Sequence, residues 1–421
     1  MPQPSHSFNQ HALVIGGGVV GLASAWWLLE AGFRVTLLER APGVGLGASQ
    51  RNGGQLSYRY VAPLADAGVP LKALQWLFQA DGPLRFRPEA DWRQWRWLAA
   101  FLANCNGAKN RRTTAKLLQL GELSRQKMAQ LAVHVPLADF GWRQAGKLVV
   151  YRSPALFAAA VARTDADNSR RIVSAPEIPA LEPALADLAP QLAGGIFNAG
   201  EAVADCHAFC VALAARLREH PRFEGIVHGR ATSLFVEGNR IAGVQTDEGW
   251  VQADHYVLTA GIHSRDLAAG AGIRLPLYPL KGYSLTAPIR PGDVAPDISV
   301  TDFERKTLYA RIGTHLRVAA MVDMVGDDPA LDQRRVAGLA RRAREALPAA
   351  ADYTRLEAWA GLRPATPNSA PLLGRTRHPN LWLNVGHGPL GFTFACGTAA
   401  ILADLMRGAA PPFDLDFLAW K

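Results

Sequence analysis

Two glycine-rich turns stand at opposite ends of this 421-residue chain, GGGVVG at 16–21 and GHGPLG at 386–391. Each follows a short apolar run, ALVI or LWLNV, and each opens an apolar segment of helical composition. The first turns of a helix leave backbone N–H groups unpaired at its positive end, so such a turn can hold a negative group without any side chain. Gly16, Gly18 and Gly21 fit G-x-G-x-x-G. The first glycine makes the turn, the second admits a pyrophosphate, and the third lets helix and strand pack closely. Val19 and Val20 open the helix, and Glu39 closes the next strand, RVTLLE. A carboxylate there accepts hydrogen bonds from both hydroxyls of an adenosine ribose and repels a 2′-phosphate. The first turn therefore predicts a dinucleotide site.

The second turn narrows which dinucleotide. A flavin gathers negative charge at one edge of its ring on reduction, whereas nicotinamide does not become anionic. Gly386, Gly388 and Gly391, with the helix behind them, suit such an edge. One turn then holds the diphosphate and the other supports the electron-accepting ring. The polar loop GASQRNGGQLS at 47–57 falls where a plain nicotinamide-binding unit would place a helix and a third strand. Backbone N–H groups along Ala48, Ser49, Asn52, Gly53, Gly54, Gln55 and Leu56 suit the rim of a planar heterocycle. Ala260 and Gly261 end the run HYVLTAG with residues small enough to lie against an adenosine. Arg40, Ala231, Gly361, His387 and Thr393 complete the cofactor-binding candidates. Arg363 precedes Pro364, which biases it toward an extended backbone. Held there, its planar fork suits bidentate capture of a carboxylate. The sequence carries no metal-ligand spacing and no obvious His/Asp pair for proton abstraction.

The elements that must position these residues can be read more coarsely. The uncharged stretch 12–29 is long enough to span a membrane, but its glycine cluster predicts strand, turn and helix instead. Residues 61–145 read as mostly helical, with Trp92, Trp95, Leu98 and Leu102 on one face, as on a packed helix or one resting on lipid. GKLVVYR (146–152) alternates as a strand, PEIPALEPAL reads as an extended linker, and Asp205 caps a helix over 205–219. Short strands follow over 229–261, with turns at 238–239 and 247–249. Strands over 276–325 place Thr307, Tyr309 and Arg311 on one face, and a helix at 331–347 precedes the closing segment.

Composition bounds the rest. Apolar residues make up 49% and charged residues 19%, a globular balance. The excess of 45 Lys+Arg over 36 Asp+Glu gives a net charge of +9, but no basic run of five or more occurs, which excludes a nucleic-acid tail. Cys105, Cys206, Cys210 and Cys396 form no CxxC and fit a reducing compartment. Residues 1–10 show neither a basic leader region nor a cleavage site, so a cytoplasmic location is expected.

Through VIGGGVVGLASAWWLLEAGFRVTLLER, VPLKALQWLFQ, YPLKGYSLT, GLRPATP, LLGRT and LWLNVGHGPLGFTFACG, the chain resembles the D-amino acid oxidase-type flavoproteins over nearly its whole length. The resemblance implies noncovalent FAD and an α/β fold, a Rossmann-like FAD-binding domain (1–60, 198–272, 360–421) with an inserted α+β substrate domain (61–197, 273–359) built on a mostly antiparallel sheet. It implies oxidation of the amine of a D-amino acid to an imine that water converts to a 2-oxo acid and ammonia. Electrons would pass to a quinone or other respiratory acceptor, with peripheral contact at the inner membrane. By position Arg363 matches the arginine that pairs with the substrate carboxylate, and the carbonyls at Gly388 and Pro389 match the turn that accepts its amine. Tyr309 and Tyr60 are the candidates for an active-site tyrosine. The rival expectations are an oxygen-using glycine, sarcosine or D-amino acid oxidase, a D-proline or hydroxyproline dehydrogenase, a nicotinamide dehydrogenase, and a membrane-recruited flavin-binding regulator without turnover.

Overall fold

The computed structural model describes residues 10–77, 82–164 and 170–420. The N-terminal residues 1–9, on which the expectation of no leader falls, and residues 78–81 of the Trp/Arg-rich segment lie outside the described residues. Two large sheets organise the fold. The first has six strands, ordered Leu372–Arg375, Leu381–Val385, His255–Leu258, His11–Ile15, Arg34–Glu39 and Phe223–His228, parallel except for the first pair. No third strand follows Glu39 directly. Its place beside Arg34–Glu39 is filled by Phe223–His228, which arrives after the long excursion to the second sheet. The helix Val19–Glu30 is buried over most of its length and packs on the helices Gly391–Met406 and Cys206–Glu219. That explains why residues 12–29 carry no charge. The run 388–406 is also long and apolar enough to cross a membrane, yet most of it is buried inside the protein.

The second sheet has nine strands. Eight are ordered Glu357–Ala365, Tyr278–Pro288, His315–Met324, Thr307–Ile312, Ser299–Asp302, Lys147–Tyr151, Gly194–Asn198 and Arg170–Ser174, and Leu84–Phe86 pairs with His315–Met324. Pairing is antiparallel except at 84–86 and between 147–151 and 299–302. One face of this sheet buries Tyr283, Tyr309, Leu316 and Val318 against the helix Gln333–Ala346. The other face looks toward the first sheet and forms a wall of the site.

Several sequence-based expectations shift. The domain boundary expected at 359/360 falls inside the strand Glu357–Ala365, which belongs to the second sheet. The helix Gly107–Leu131 was expected in the substrate domain. Its Leu117, Leu120, Met128 and Leu131 instead share a core with the Val19–Glu30 and Gly391–Met406 helices, and Ser124 Oγ donates to the Thr393 carbonyl at 2.6 Å. PEIPALEPAL is not extended: short helical turns occupy Ala175–Glu177, Ile178–Leu181 and Pro183–Leu185, each with a proline in its first turn. In the helix Trp92–Asn104, Trp92, Trp95 and Leu102 are exposed while Gln94 and Trp97 are buried, so the packed face is rotated from the one expected.

Candidate functional site

Both glycine turns, the 47–57 loop and Arg363 line one cavity of 1850 Å³ between the two sheets. Sites for drug-sized ligands hold about 300–1,000 Å³, so this one has room for a dinucleotide and a substrate together.

At the first turn Gly16 has φ +111°, and a β-carbon there would come within 2.8 Å of the Ala260 Cα. A β-carbon on Gly21 would strike the Gly16 carbonyl, so this third glycine serves helix–strand packing and does not line the cavity. Gly18 is different. Its φ of −77° suits any residue, and the nearest protein atom to a β-carbon there would be Ser49 Oγ at 3.5 Å. Neither the backbone nor packing requires glycine at 18, whereas close approach of a ligand would. The helix behind it has no side-chain cap on Gly18, and the Val19 N–H donates to Ser49 Oγ at 3.1 Å. Glu39 accepts from the Gly17 N–H at 2.6 Å and the Ala41 N–H at 2.8 Å, which fixes its carboxylate at the cavity wall. These residues fit the ADP half of FAD. Arg40, Val20, Ala231, Ala260 and Gly261 line the same end.

The loop that follows is pinned to the second sheet. Ser284 Oγ donates to the Arg51 carbonyl at 2.8 Å and Arg317 to the Asn52 carbonyl at 2.7 Å, while Asn52 Oδ1 accepts from the Gly54 N–H at 2.9 Å. Gln55 bonds Ser299 and accepts from Lys147 Nζ at 2.8 Å. Ala48, Ser49, Asn52, Gly53, Gly54 and Gln55 all line the cavity. Leu56 does not: it is fully buried and pairs with Ala202.

Across the cavity the turn Gly388–Leu390 leads into the helix Gly391–Met406, whose start has no side-chain cap. Gly386, Gly388, Pro389 and Gly391 line the cavity. His387 contributes backbone only, because its ring turns inward to Thr398 Oγ1 at 3.0 Å, and burial pulls its pKa down to about 3. Thr393 also faces inward, where its Oγ1 accepts from the Ser57 N–H at 3.2 Å, tying loop to helix rather than touching a ligand.

Arg363 stands on the strand Glu357–Ala365, extended as its proline neighbour requires. One guanidinium N–H donates to the Met321 carbonyl at 2.9 Å, and the fork lies over Gly282. Gly282 pairs with Gly361, whose β-carbon space is filled by the Trp359 indole. Two facing glycines thus form a floor for an arginine and a tryptophan. Burial pulls Arg363 down to about 10, against the opposing charge of Asp323, so it stays cationic at neutral pH.

Of the two tyrosines, Tyr60 lines the cavity with its ring 4.0 Å from Lys147 Nζ. Tyr309 does not, because the strand Thr307–Ile312 turns Leu308 toward the cavity and Tyr309 into the opposite core. Sequence reasoning missed Lys147 and Trp359. Lys147 opens an otherwise apolar strand yet is 3% exposed, and it donates to Ser57 Oγ at 3.0 Å. Burial draws its pKa down to about 8, with Glu201 opposing. Its signal was a lysine at the head of the apolar KLVVY run; that of Trp359 was its place two residues before Gly361.

A family model described as FAD dependent oxidoreductase (DAO) matches residues 11–405. "D-amino acid dehydrogenase 2" of Pseudomonas aeruginosa is 50% identical over 96% of this chain and 97% of its own. A protein of the same name in Ralstonia nicotianae is 45% identical over 94% and 96%. Among solved structures, L-proline dehydrogenase from P. horikoshii superposes with a TM-score of 0.74 at 17% identity, covering 98% of this chain and 96% of that one, a likeness of fold.

Proposed function

This chain belongs to the DAO family of FAD-dependent oxidoreductases, and from that premise we propose that it oxidises D-amino acids to 2-oxo acids and ammonia. The observation that carries the reading is the Arg363 fork, bonded through one N–H to Met321 and otherwise facing the cavity that both glycine turns line. FAD supplies the two-electron acceptor for the hydride leaving the α-carbon. Arg363 holds the substrate carboxylate, and the backbone carbonyls at Gly388 and Pro389 accept hydrogen bonds from its neutral amine. Loss of hydride from the neutral amine leaves an iminium, which keeps both nitrogen protons, and water then adds to its carbon to give the 2-oxo acid and ammonia as the ammonium ion. Orientation is the main requirement, so no dedicated side-chain base is needed. His387, neutral and turned inward, is not one.

Anaerobic mixing of the purified holoenzyme with D- and L-amino acids tests this. D-isomers should bleach the flavin's visible absorbance. Bleaching by L-isomers alone, or by neither, would overturn the reading.

For the acceptor we propose a respiratory quinone reached from a membrane surface. Supporting this, Leu71 and Leu74 on the helix Val69–Leu77 are 69% and 57% exposed, and Trp92 and Trp95 are exposed nearby in sequence. Apolar residues presented this way suit the headgroup boundary of a bilayer. Leu71→Ser should weaken co-sedimentation with anionic lipid vesicles and keep turnover with a soluble quinone analogue. Faster turnover in air than with quinone would favour an oxidase.

A further inference from the structure

We infer that the site selects D-amino acids with large apolar side chains, aromatic or branched, over small or acidic ones; this rests on the function proposed above. Arg363 and Leu280 are direct cross-strand partners, so both side chains rise from the same face of the sheet. Beyond Leu280 that face continues through Val322 and Met324, and the helix Trp92–Asn104 lays Trp97, Leu98 and Phe101 over them. All six side chains line the cavity. The only N–H among them, on the Trp97 indole, already donates to the Ala365 carbonyl at 2.9 Å. The Trp97 and Phe101 rings stack 5.2 Å apart, which gives the wall a flat aromatic surface. A substrate whose carboxylate meets the Arg363 fork therefore has an apolar lobe beside it with no polar group left to satisfy. An alkyl or aryl side chain gains by leaving water for that lobe, whereas a carboxylate side chain would lose its hydration with nothing in return. The buried cation Lys147 offers no rescue, because its strand lies five places along the sheet from that of Arg363.

The test compares kcat/KM of the holoenzyme for D-phenylalanine, D-leucine, D-alanine and D-glutamate, in the wild type and in Phe101→Ala and Phe101→Leu. Phe101 is only half buried, which keeps the fold at low risk. The expected order is phenylalanine and leucine first, alanine next and glutamate last. Phe101→Ala should lower kcat/KM for D-phenylalanine by about tenfold or more while leaving D-alanine within about twofold, and Phe101→Leu should recover most of the loss. As a readout apart from turnover, 3-phenylpropanoate should perturb the flavin absorbance band at far lower concentration than acetate or succinate, and Phe101→Ala should erase the difference. Preference for D-alanine or D-glutamate, or equal losses for all substrates in Phe101→Ala, would overturn the inference and leave the D-amino acid reading standing. Failure to oxidise any D-amino acid would overturn both.

Discussion

Arg363 lays its guanidinium across Gly282 of the neighbouring strand, in the space that a β-carbon at Gly282 would need. The substrate capture proposed for this arginine thus depends on the absence of a side chain one strand away. Gly282→Ala should lift the fork from its seat without straining an ordinary strand backbone. A displacement near 1 Å at a reacting centre costs on the order of 100-fold, so kcat/KM for D-amino acids should fall by about that factor, mostly through KM. Steady-state kinetics check this, with the thermal midpoint as the control for folding.

Removing the fork altogether should cost more. Arg363→Ala takes away the guanidinium proposed to meet the carboxylate, and about 3 kcal/mol or more should be lost from kcat/KM. Arg363→Lys should recover only part of it, because an ammonium cannot make the two parallel bonds of a guanidinium. Equal kinetics for the arginine and lysine forms would remove the bidentate clamp from the account.

Gly18 permits a separation of binding from folding. With no protein atom closer than 3.5 Å to a β-carbon there, Gly18→Ala should leave the stability of the FAD-free chain within about 1 kcal/mol of wild type. FAD affinity should fall at least tenfold, since the methyl group would project into the cavity at the helix start, where the diphosphate is proposed to sit. Equilibrium titration with FAD and denaturant unfolding of the FAD-free chain measure the two effects. A destabilised chain with unchanged affinity would mean that Gly18 serves packing.

Tyr309 offers the opposite contrast. Its hydroxyl is buried without a hydrogen-bond partner and its ring lies in the core behind the second sheet. Deleting an unsatisfied buried hydroxyl removes a desolvation cost, so Tyr309→Phe should keep kcat within about twofold and raise stability slightly, by up to about 1 kcal/mol. A large fall in kcat would place the hydroxyl in the chemistry after all.

That tyrosine shows where the sequence stops being legible. Period-two alternation correctly separates Tyr309 from Leu308, but it carries no sign saying which face meets the ligand, and a single step of register exchanges the two. The helix Trp92–Asn104 fails in the same way: its apolar residues run nearly all round, so the packed stripe holding Trp97 and Phe101 cannot be told from the exposed one with Trp92 and Trp95. The third strand beside Arg34–Glu39 comes from residues 223–228, a pairing across nearly 190 positions that no local pattern announces. By contrast, the GxGxxG turn, Glu39 at its strand end and the extended Arg363 depend on chemistry within a few residues, and Gly16, Gly18, Glu39 and Arg363 all line the cavity. Convergence of the two glycine turns on one cavity was legible because both are helix starts suited to the same anionic, electron-accepting ligand. Lys147 escaped notice because a lysine at the edge of a strand ordinarily points to water, and only the neighbouring loop, through Gln55 and Ser57, makes this one an interior cation.

Lys147 should also leave a signature in the pH dependence of stability. Its folded-state pKa, drawn down to about 8 by burial, lies below its ordinary 10.5, so the folded protein holds this proton less tightly than the unfolded chain does. Below about 8 both states carry the charge, and the full cost of burying it is present. Between 8 and 10.5 the folded state has shed the proton and the unfolded state has not, so this contribution raises stability with pH, and above 10.5 the cost is gone. At roughly 1.4 kcal/mol per pH unit the whole swing is about 3.5 kcal/mol at most. Lys147→Met removes the swing and adds a pH-independent offset from the lost bonds to Gln55 and Ser57. The stability of Lys147→Met relative to wild type should therefore be greatest near neutrality and decline steadily toward pH 10.5, whatever its absolute sign. Denaturant unfolding of both holoenzymes at several pH values across that window measures the difference directly, and other titrating groups cancel in it. Parallel stability curves for the two proteins would show that Lys147 keeps an ordinary pKa in the folded state.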